Sequence, residues 1–291
     1  MSNHVLEVRQ PSVAGSFYPA RPEAIRGLVD ACLATAGDGP LVEGAIGVLV
    51  PHAGLVYSGS VATAGWQALL RDAGAEPTIV ILGTNHSTWF DGVAVFDGGA
   101  WRTPTGDVAV DADVAAAILA LGDPFAANRA GHRGEHSIEV QLPIVQAIRP
   151  GARIVPCSVS AGTGRDAIEA GGRLGTRLAD LRAQGREILL SISSDMAHYP
   201  AHDEAVAVTD RLVPAIVSLD PVALAVRERS ESKSGAPGMA CGMCGIQPTV
   251  LGLAALRAMG ATGGVVAGAA TSADAGAAPD RTVGYLAVAF A

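Results

Sequence analysis

The run Ile46-Gly-Val-Leu-Val-Pro-His-Ala-Gly54 is an apolar strand candidate followed directly by a histidine. The same arrangement occurs in Thr78-Ile-Val-Ile-Leu-Gly-Thr-Asn-His-Ser87 and in Glu187-Ile-Leu-Leu-Ser-Ile-Ser-Ser-Asp-Met-Ala-His198. Strands that are apolar almost throughout are typical of parallel sheets covered on both faces. Ligands bind at the carboxyl edge of such sheets. We therefore expect one site at this edge, formed by His52, His86, Asp195 and His198.

Outward from these segments, short β-branched runs alternate with longer Ala- and Leu-rich segments. The strand candidates are Ile46–Val50, Thr78–Leu82, Val93–Phe96, Ile154–Val159, Glu187–Ile192, Gly264–Ala270 and Thr282–Phe290. The helix candidates are Pro22–Ala36, Gly59–Ala73, Asp111–Leu121, Glu135–Ile148, Gly164–Gln184, Asp203–Leu219, Pro221–Arg227 and Gly245–Met259. This alternation predicts an α/β fold with three layers and a largely parallel central sheet, in one domain spanning residues 1–291.

Composition excludes several classes of protein. The 291 residues include 20 Lys and Arg against 28 Asp and Glu, a formal charge of −8, and no basic cluster is present. A role in gripping nucleic acid phosphates is therefore not expected. No run approaches the roughly 18 apolar residues of a membrane helix, and Met1 to Gln10 carries no apolar stretch typical of a secretory signal. Four cysteines in a chain of this length do not make a disulfide scaffold. We expect a cytoplasmic protein with no membrane partner.

Convergent histidines indicate a metal site, because imidazole is a good ligand for zinc, copper and iron. The alternative is that each histidine caps a backbone group in its own loop, but three in equivalent positions favour function. The segment His132-Arg-Gly-Glu-His-Ser-Ile-Glu139 adds candidates. A helix beginning near Gly134 would bring Glu135 and Glu139 one turn apart. The string also matches the H-x-x-E-H zinc-protease pattern, although Gly134 interrupts the helix that pattern needs.

Cys241-Gly-Met-Cys244 is a lone C-x-x-C motif, typical of a redox pair or of half a zinc ribbon. The sequence contains no second C-x-x-C, so a four-cysteine zinc site is excluded. A helix beginning near Gly245 would lower the pKa of Cys241 and favour the thiolate. Cys32 and Cys157 lie in apolar segments and are expected to be buried thiols.

Six segments in order resemble the Memo family, including its bacterial branch, AmmeMemoRadiSam system protein B. They are Pro11-Ser-Val-Ala-Gly-Ser-Phe-Tyr-Pro19, Pro51-His-Ala-Gly54 with Tyr57-Ser-Gly59, Gly83-Thr-Asn-His-Ser87, Glu135-His-Ser-Ile-Glu-Val-Gln-Leu-Pro143, Ser193-Ser-Asp195 with His198, and Cys241-Gly242. The resemblance covers nearly the whole chain. It implies a single α/β domain similar to the class III extradiol dioxygenases of LigB type, which use non-haem Fe(II).

The resemblance also implies roles for individual residues. Two histidines and a cysteine hold the metal in that family, and these fall on His52, His86 and Cys241. Asp195 and His198 match a further polar pair of the pocket, and Glu135 and His136 match the family's acidic residue and histidine. The sequence departs at Cys244, where family members more often carry Gly or His. This second thiol leaves open which cysteine binds and whether the two form a disulfide.

The function expected from the resemblance is a metal-binding, non-haem iron oxidoreductase acting on a small organic substrate. Iron is the expected metal, and copper and zinc suit the same ligands. His198 or His136 would move protons, and Asp195 would orient one of them. Two alternatives stay open: a zinc hydrolase using the same pocket, and a non-catalytic module that binds a peptide or partner in the cleft. The family name also implies a radical-SAM enzyme and an Ammecr-type protein as partners.

Overall fold

The structure, a computed structural model, describes residues 7–37, 39–233 and 236–291. Its strands are β1 (Val8–Arg9), β2 (Gly47–Val50), β3 (Thr78–Thr84), β4 (Gly92–Val95), β5 (Ala100–Thr103), β6 (Gly106–Ala109), β7 (Phe125–Ala127), β8 (Arg153–Ser160), β9 (Ile188–Ser193), β10 (Gly264–Thr271) and β11 (Gly284–Phe290). Its helices are α1 (Pro22–Ala36), α2 (Leu55–Leu70), α3 (Ala112–Leu119), α4 (Leu142–Ile148), α5 (Arg165–Ala183), α6 (His202–Val217), α7 (Pro221–Lys233) and α8 (Ile246–Met259). Arg129–His132 and Glu139–Gln141 form 3-10 turns.

Within these residues, eight strands form one sheet in the order β10-β11-β2-β9-β3-β8-β4-β7. The central strands β2, β9, β3 and β8 run parallel to one another, whereas β11 is antiparallel to β2 and β4 is antiparallel to β8. The α/β architecture predicted from the sequence is confirmed, with a mixed sheet whose centre is parallel. Since β9 lies between β2 and β3, the loops that follow these three strands emerge side by side.

Side-chain alternation along the central strands builds one core on each face of the sheet. Val48 and Val50 of β2 pack with residues of α1, α2 and α4, whereas Leu49 packs with residues of α5, α6 and α8. Successive residues of a strand point to opposite faces, so a strand covered on both sides is apolar at most positions and excludes unpaired charges. This is why β2, β3 and β9 carry no charged side chain.

All seven predicted strands are present, and the structure adds four short ones, β1, β5, β6 and β7. The predicted helix Glu135–Ile148 differs most. Glu135 and His136 lie in non-helical chain, Glu139–Gln141 is a 3-10 turn, and only Leu142–Ile148 is α-helical. The prediction that Glu135 and Glu139 lie one helical turn apart is therefore wrong. Buried polar side chains in this segment bond other parts of the chain instead, as described below.

Candidate metal centre

Three histidine rings meet at the carboxyl edge of the sheet. His52 follows β2, His86 follows β3, and His136 comes from the segment before α4. Their ring centroids lie 5.2 Å apart for His52 and His86, 5.5 Å for His52 and His136, and 4.6 Å for His86 and His136. One ring nitrogen of each lies within 4.8 Å of the others, a spacing that can hold a metal ion.

A second group of potential ligands shares His52 and adds Asp195 and Cys244, again with their ligand atoms within 4.8 Å of one another. The Sγ of Cys244 lies 3.3 Å from the Nε2 of His52. The Oδ1 of Asp195 accepts hydrogen bonds from the backbone N–H groups of His52 at 2.7 Å and of Ala53 at 3.2 Å. His52 is therefore the residue on which both groups centre.

Cys241, the thiol implied by the resemblance, belongs to neither group in the described part of the chain. Its carbonyl accepts the N–H of His198 at 3.1 Å, and burial together with the charge of Glu228 raises the pKa of its thiol to about 11. That direction is opposite to the lowering expected from a helix N-terminus. The N–H of Cys244 instead donates to the carbonyl of Asp195 at 3.2 Å, and this directs the second thiol to His52. The structure brings Cys244, not Cys241, to the histidines.

Glu135 orients His86 from behind. Its side chain is fully buried, with Oε1 3.1 Å from Nδ1 of His86 and Oε2 accepting the His86 backbone N–H at 2.5 Å. Burial raises the pKa of Glu135, but hydrogen bonds from the ring and backbone of His86 and from the backbone of Ser137 outweigh it and hold the pKa well below its usual range. A carboxylate only accepts hydrogen bonds, so Nδ1 of His86 carries the proton and Nε2 is available as a ligand atom.

Glu139 ties the N-terminal segment to the same region. Its fully buried carboxylate accepts hydrogen bonds from Nη1 of Arg9 at 2.6 Å and from the hydroxyl of Tyr18 at 2.7 Å. It also accepts hydrogen bonds from the backbone N–H groups of Ser12 and Val13. The ring of Phe17, next to Tyr18, lies 4.6 Å from the ring of His136. The buried ion pair therefore fixes the segment that covers His136.

His198 lies at the border of the centre. Its Nε2 is 3.9 Å from Oδ2 of Asp195 and has no hydrogen-bond partner among the described residues. Residues 194–197 are not helical, so the two side chains meet across irregular chain and not across a helical turn. Tyr199, with φ of 73°, turns the chain sharply at this point, and such backbone strain clusters at functional sites.

Two glycines allow the close approaches on which the centre depends. A Cβ at Gly83 would lie 2.7 Å from Oγ of Ser137, so the end of β3 can press against the segment that carries Glu135. A Cβ at Gly245 would lie 2.5 Å from the carbonyl of Ser193, so only glycine lets the chain after Cys244 touch the end of β9. Larger residues at these positions would move Glu135 or Cys244 away from the histidines.

Burial shifts the ionisation of the remaining groups. It lowers the pKa of His52, His136 and His198 below the ordinary histidine value, so these rings tend towards the neutral form that can bind a metal or accept a proton. It raises the pKa of Asp195, against the hydrogen bonds from His52 and Ala53 that lower it, and raises that of Cys244 well above the usual thiol value.

Sequence reasoning did not assign roles to several residues that position the centre. Fully buried Ser137, Glu139 and Gln141 follow Glu135 at alternate positions, and Ser193 lies at the end of β9. The signal was present: four polar side chains alternate with His136, Ile138 and Val140. Buried polar residues that alternate in this way, without a helical period, each need a hydrogen-bond partner. Ser137, Glu139 and Gln141 all have one.

The sequence pattern of the family described as Memo-like protein matches residues 9–289. The chain belongs to the Memo-like family. A MEMO1 family protein of Methanopyrus kandleri is 34% identical over 97% of this chain and 98% of its own length, and one of Archaeoglobus fulgidus is 37% identical over 73% of this chain and 76% of its own. The Methanopyrus match, which covers nearly the whole chain, extends across the segments that form the centre.

This Memo-like protein also resembles a solved structure at the level of fold. The crystal structure of an uncharacterized protein from Escherichia coli K12, JW3007, superposes with a TM-score of 0.55 at 14% identity, covering 85% of this chain and all of that one. At this identity the likeness shows the fold alone. In the residues that the structure describes, no helix is both long and apolar enough to cross a membrane.

Proposed function

We propose that this Memo-like protein is a metal-dependent oxidoreductase whose ion is held by His52, His86 and Cys244. One observation carries the proposal: Nε2 of His52 lies 3.3 Å from Sγ of Cys244, and a ring nitrogen of His52 lies within 4.8 Å of a ring nitrogen of His86, so His52 links the two ligand groups. The proposal keeps the two-histidine, one-thiolate set implied by the resemblance and assigns the thiolate to Cys244. Two further donors lie beside this set: His136, stacked on His86, and Asp195, which shares a ligand group with His52 and Cys244.

The donor set fits a first-row transition metal. Neutral imidazole suits iron, copper and zinc, and a single thiolate adds one negative charge and a softer donor than a carboxylate. Glu135 behind His86 is the kind of hydrogen-bonded support that orients metal-binding histidines. We propose iron(II) as the ion. Iron in this site would supply one-electron chemistry with dioxygen for the oxidation of a small organic substrate.

The chain's own residues then bind, orient and move protons. His136, stacked on His86, and His198, next to Asp195, would take a proton from a substrate hydroxyl, since burial favours their neutral form. Asp195 holds the loop that begins at His52 through the two backbone N–H groups it accepts. Burial of His52 keeps bulk water from the inner side of the site, with 1% of this residue exposed.

The decisive experiment is anaerobic purification followed by quantification of iron, copper and zinc. We expect close to one iron per chain, sharply reduced in His52→Ala and His86→Ala. His202→Gln is the matched control, because His202 bonds Thr271 and lies outside both ligand groups. Nitric oxide added to the reduced protein probes ferrous iron by electron paramagnetic resonance. Stoichiometric zinc without iron would contradict the proposal and favour a zinc hydrolase. The absence of any bound metal would contradict it and favour a non-catalytic binding module.

A further inference from the structure

Ser193 lies directly behind His52, at the carboxyl end of β9. Its hydroxyl is fully buried and has three polar neighbours: Nδ1 of His52 at 2.8 Å, the carbonyl oxygen of Ser137 at 2.8 Å and Nε2 of Gln141 at 2.7 Å. A serine hydroxyl has one hydrogen to donate and two lone pairs that accept. Three contacts therefore use its whole capacity, and each contact has a defined direction.

The amide of Gln141 fixes the first direction. Its Nε2 lies 2.6 Å from the carbonyl oxygen of Ser137 as well as 2.7 Å from Oγ of Ser193. The reversed amide would set Oε1 against the Ser137 carbonyl, two oxygens with no hydrogen between them. The NH2 group must therefore face both neighbours, and Gln141 donates to Ser193.

The carbonyl of Ser137 fixes the second direction, because a carbonyl oxygen only accepts. Ser193 gives its single hydrogen to that carbonyl. One lone pair of Ser193 then remains, and only a donor can fill it. The remaining neighbour is Nδ1 of His52, which must carry the hydrogen.

We infer that Gln141 and Ser193 are positioning residues that hold His52 in its Nδ1–H tautomer and so turn a bare Nε2 towards Cys244 and the centre. The opposite tautomer would point an N–H at the place where an ion binds, and Nε2 would not be a ligand. The consequence for metal binding rests on the proposed function, whereas the tautomer itself is a property of the metal-free protein.

His52 and His86 are thus held in the same Nδ1–H tautomer by chemically different groups. Glu135 accepts from Nδ1 of His86, and Ser193 accepts from Nδ1 of His52. Ser193 is neutral and works only because Gln141 and Ser137 dictate where its hydrogen points. Removing the Ser193 hydroxyl or the Gln141 amide should therefore free the tautomer of His52 without removing a metal ligand.

The test is nitrogen-15 NMR of the histidine side chains in the metal-free protein, with His52 assigned by its absence in His52→Asn. We expect Nδ1 protonated and Nε2 bare in the wild type, and a shift towards the Nε2–H form in Ser193→Ala and Gln141→Leu. Ser191→Ala is the matched control: Ser191 lies on the same strand, is equally buried, and its hydroxyl has no hydrogen-bond partner among the described residues.

Zinc titration supplies a second readout. Ser193→Ala should bind zinc roughly 10- to 100-fold more weakly, the usual effect of losing a group that orients a metal-binding histidine, while Ser191→Ala should match the wild type. An Nε2–H tautomer in the wild type would overturn the inference even if every variant failed to fold. An unchanged tautomer in folded Ser193→Ala would overturn it too. A wild type with the expected tautomer that binds no metal would support the inference and count against the proposed function.

Discussion

The two histidines of the proposed centre are held by chemically different surroundings. The side chain of His86 is 31% exposed and is fixed by a buried carboxylate, that of Glu135, whereas His52 is 1% exposed and is fixed by the hydroxyl of Ser193. The carboxyl groups beside the two histidines differ in pKa: that of Glu135, beside His86, is lowered, and that of Asp195, beside His52, is raised. Glu135 gathers enough hydrogen bonds to stay charged, while burial dominates at Asp195.

This difference follows from where each histidine comes from. His86 lies on a loop that packing alone does not fix, and a charge-assisted hydrogen bond can hold such a side chain in place. His52 follows β2 and is 1% exposed, and a buried charge behind its ring would add a desolvation cost. A neutral hydroxyl, directed by Gln141, holds the ring without that cost. The His86 side should therefore depend on charge and the His52 side on hydrogen-bond direction, and substitutions can separate the two.

Glu139→Gln should have the largest effect, on stability. It removes the charge that pairs with buried Arg9 and weakens four hydrogen bonds, and breaking a buried pair typically costs about 3–5 kcal/mol. Urea unfolding measures the free energy of unfolding. Glu169→Gln is the control, because its pair with Arg165 is exposed and such pairs contribute about 0–1 kcal/mol. Equal small losses in both variants would contradict a charge-dependent scaffold on the His86 side.

Cys244→Ser should abolish most metal binding, weakening affinity by more than the roughly 10- to 100-fold typical of losing a supporting group. Cys241→Ser should change it little, since Cys241 is absent from both ligand groups in the described residues. Bound iron, copper and zinc measured under reducing conditions decide between the two thiols. Metal loss confined to Cys241→Ser would return the ligand to the cysteine that the resemblance implied.

Glu135→Gln should weaken metal affinity by roughly 10- to 100-fold, because the amide leaves His86 without its charged acceptor. Ser87→Ala is the matched control, since it removes only the 3.1 Å hydrogen bond from the Ser87 hydroxyl to the same carboxylate. Affinity for zinc, with thermal unfolding to confirm folding, measures the effect. If both variants bind zinc with the same affinity, the charge of Glu135 is not needed to orient His86, and the two histidines do not differ in their dependence on charge.

Much of the fold and part of the site could be predicted, for physical reasons that differ between segments. Doubly covered strands contain uninterrupted apolar runs, such as Ile79–Leu82, so their ends, and with them His52 and His86, are visible in sequence. Glu135 is different: its partners are backbone groups and a ring from a distant loop, which no local period encodes. Which of Cys241 and Cys244 lies beside His52 depends on contacts that only the folded chain forms, among them the hydrogen bond from the N–H of Cys244 to the carbonyl of Asp195.

The smallest effect on metal binding is expected for His198→Ala and Asp195→Asn, each within about twofold of the wild type. His198 belongs to neither ligand group in the described residues, and its Nε2 lies 3.9 Å from Asp195. Asparagine in place of Asp195 keeps an oxygen for the N–H groups of His52 and Ala53, so the loop that begins at His52 should hold its shape. Asp195 does share a ligand group with His52 and Cys244, which makes Asp195→Asn the sharper measurement. A tenfold or greater loss of zinc affinity in Asp195→Asn, with His198→Ala unchanged, would make the carboxylate a ligand. The distinction between the two histidines would then rest on burial alone.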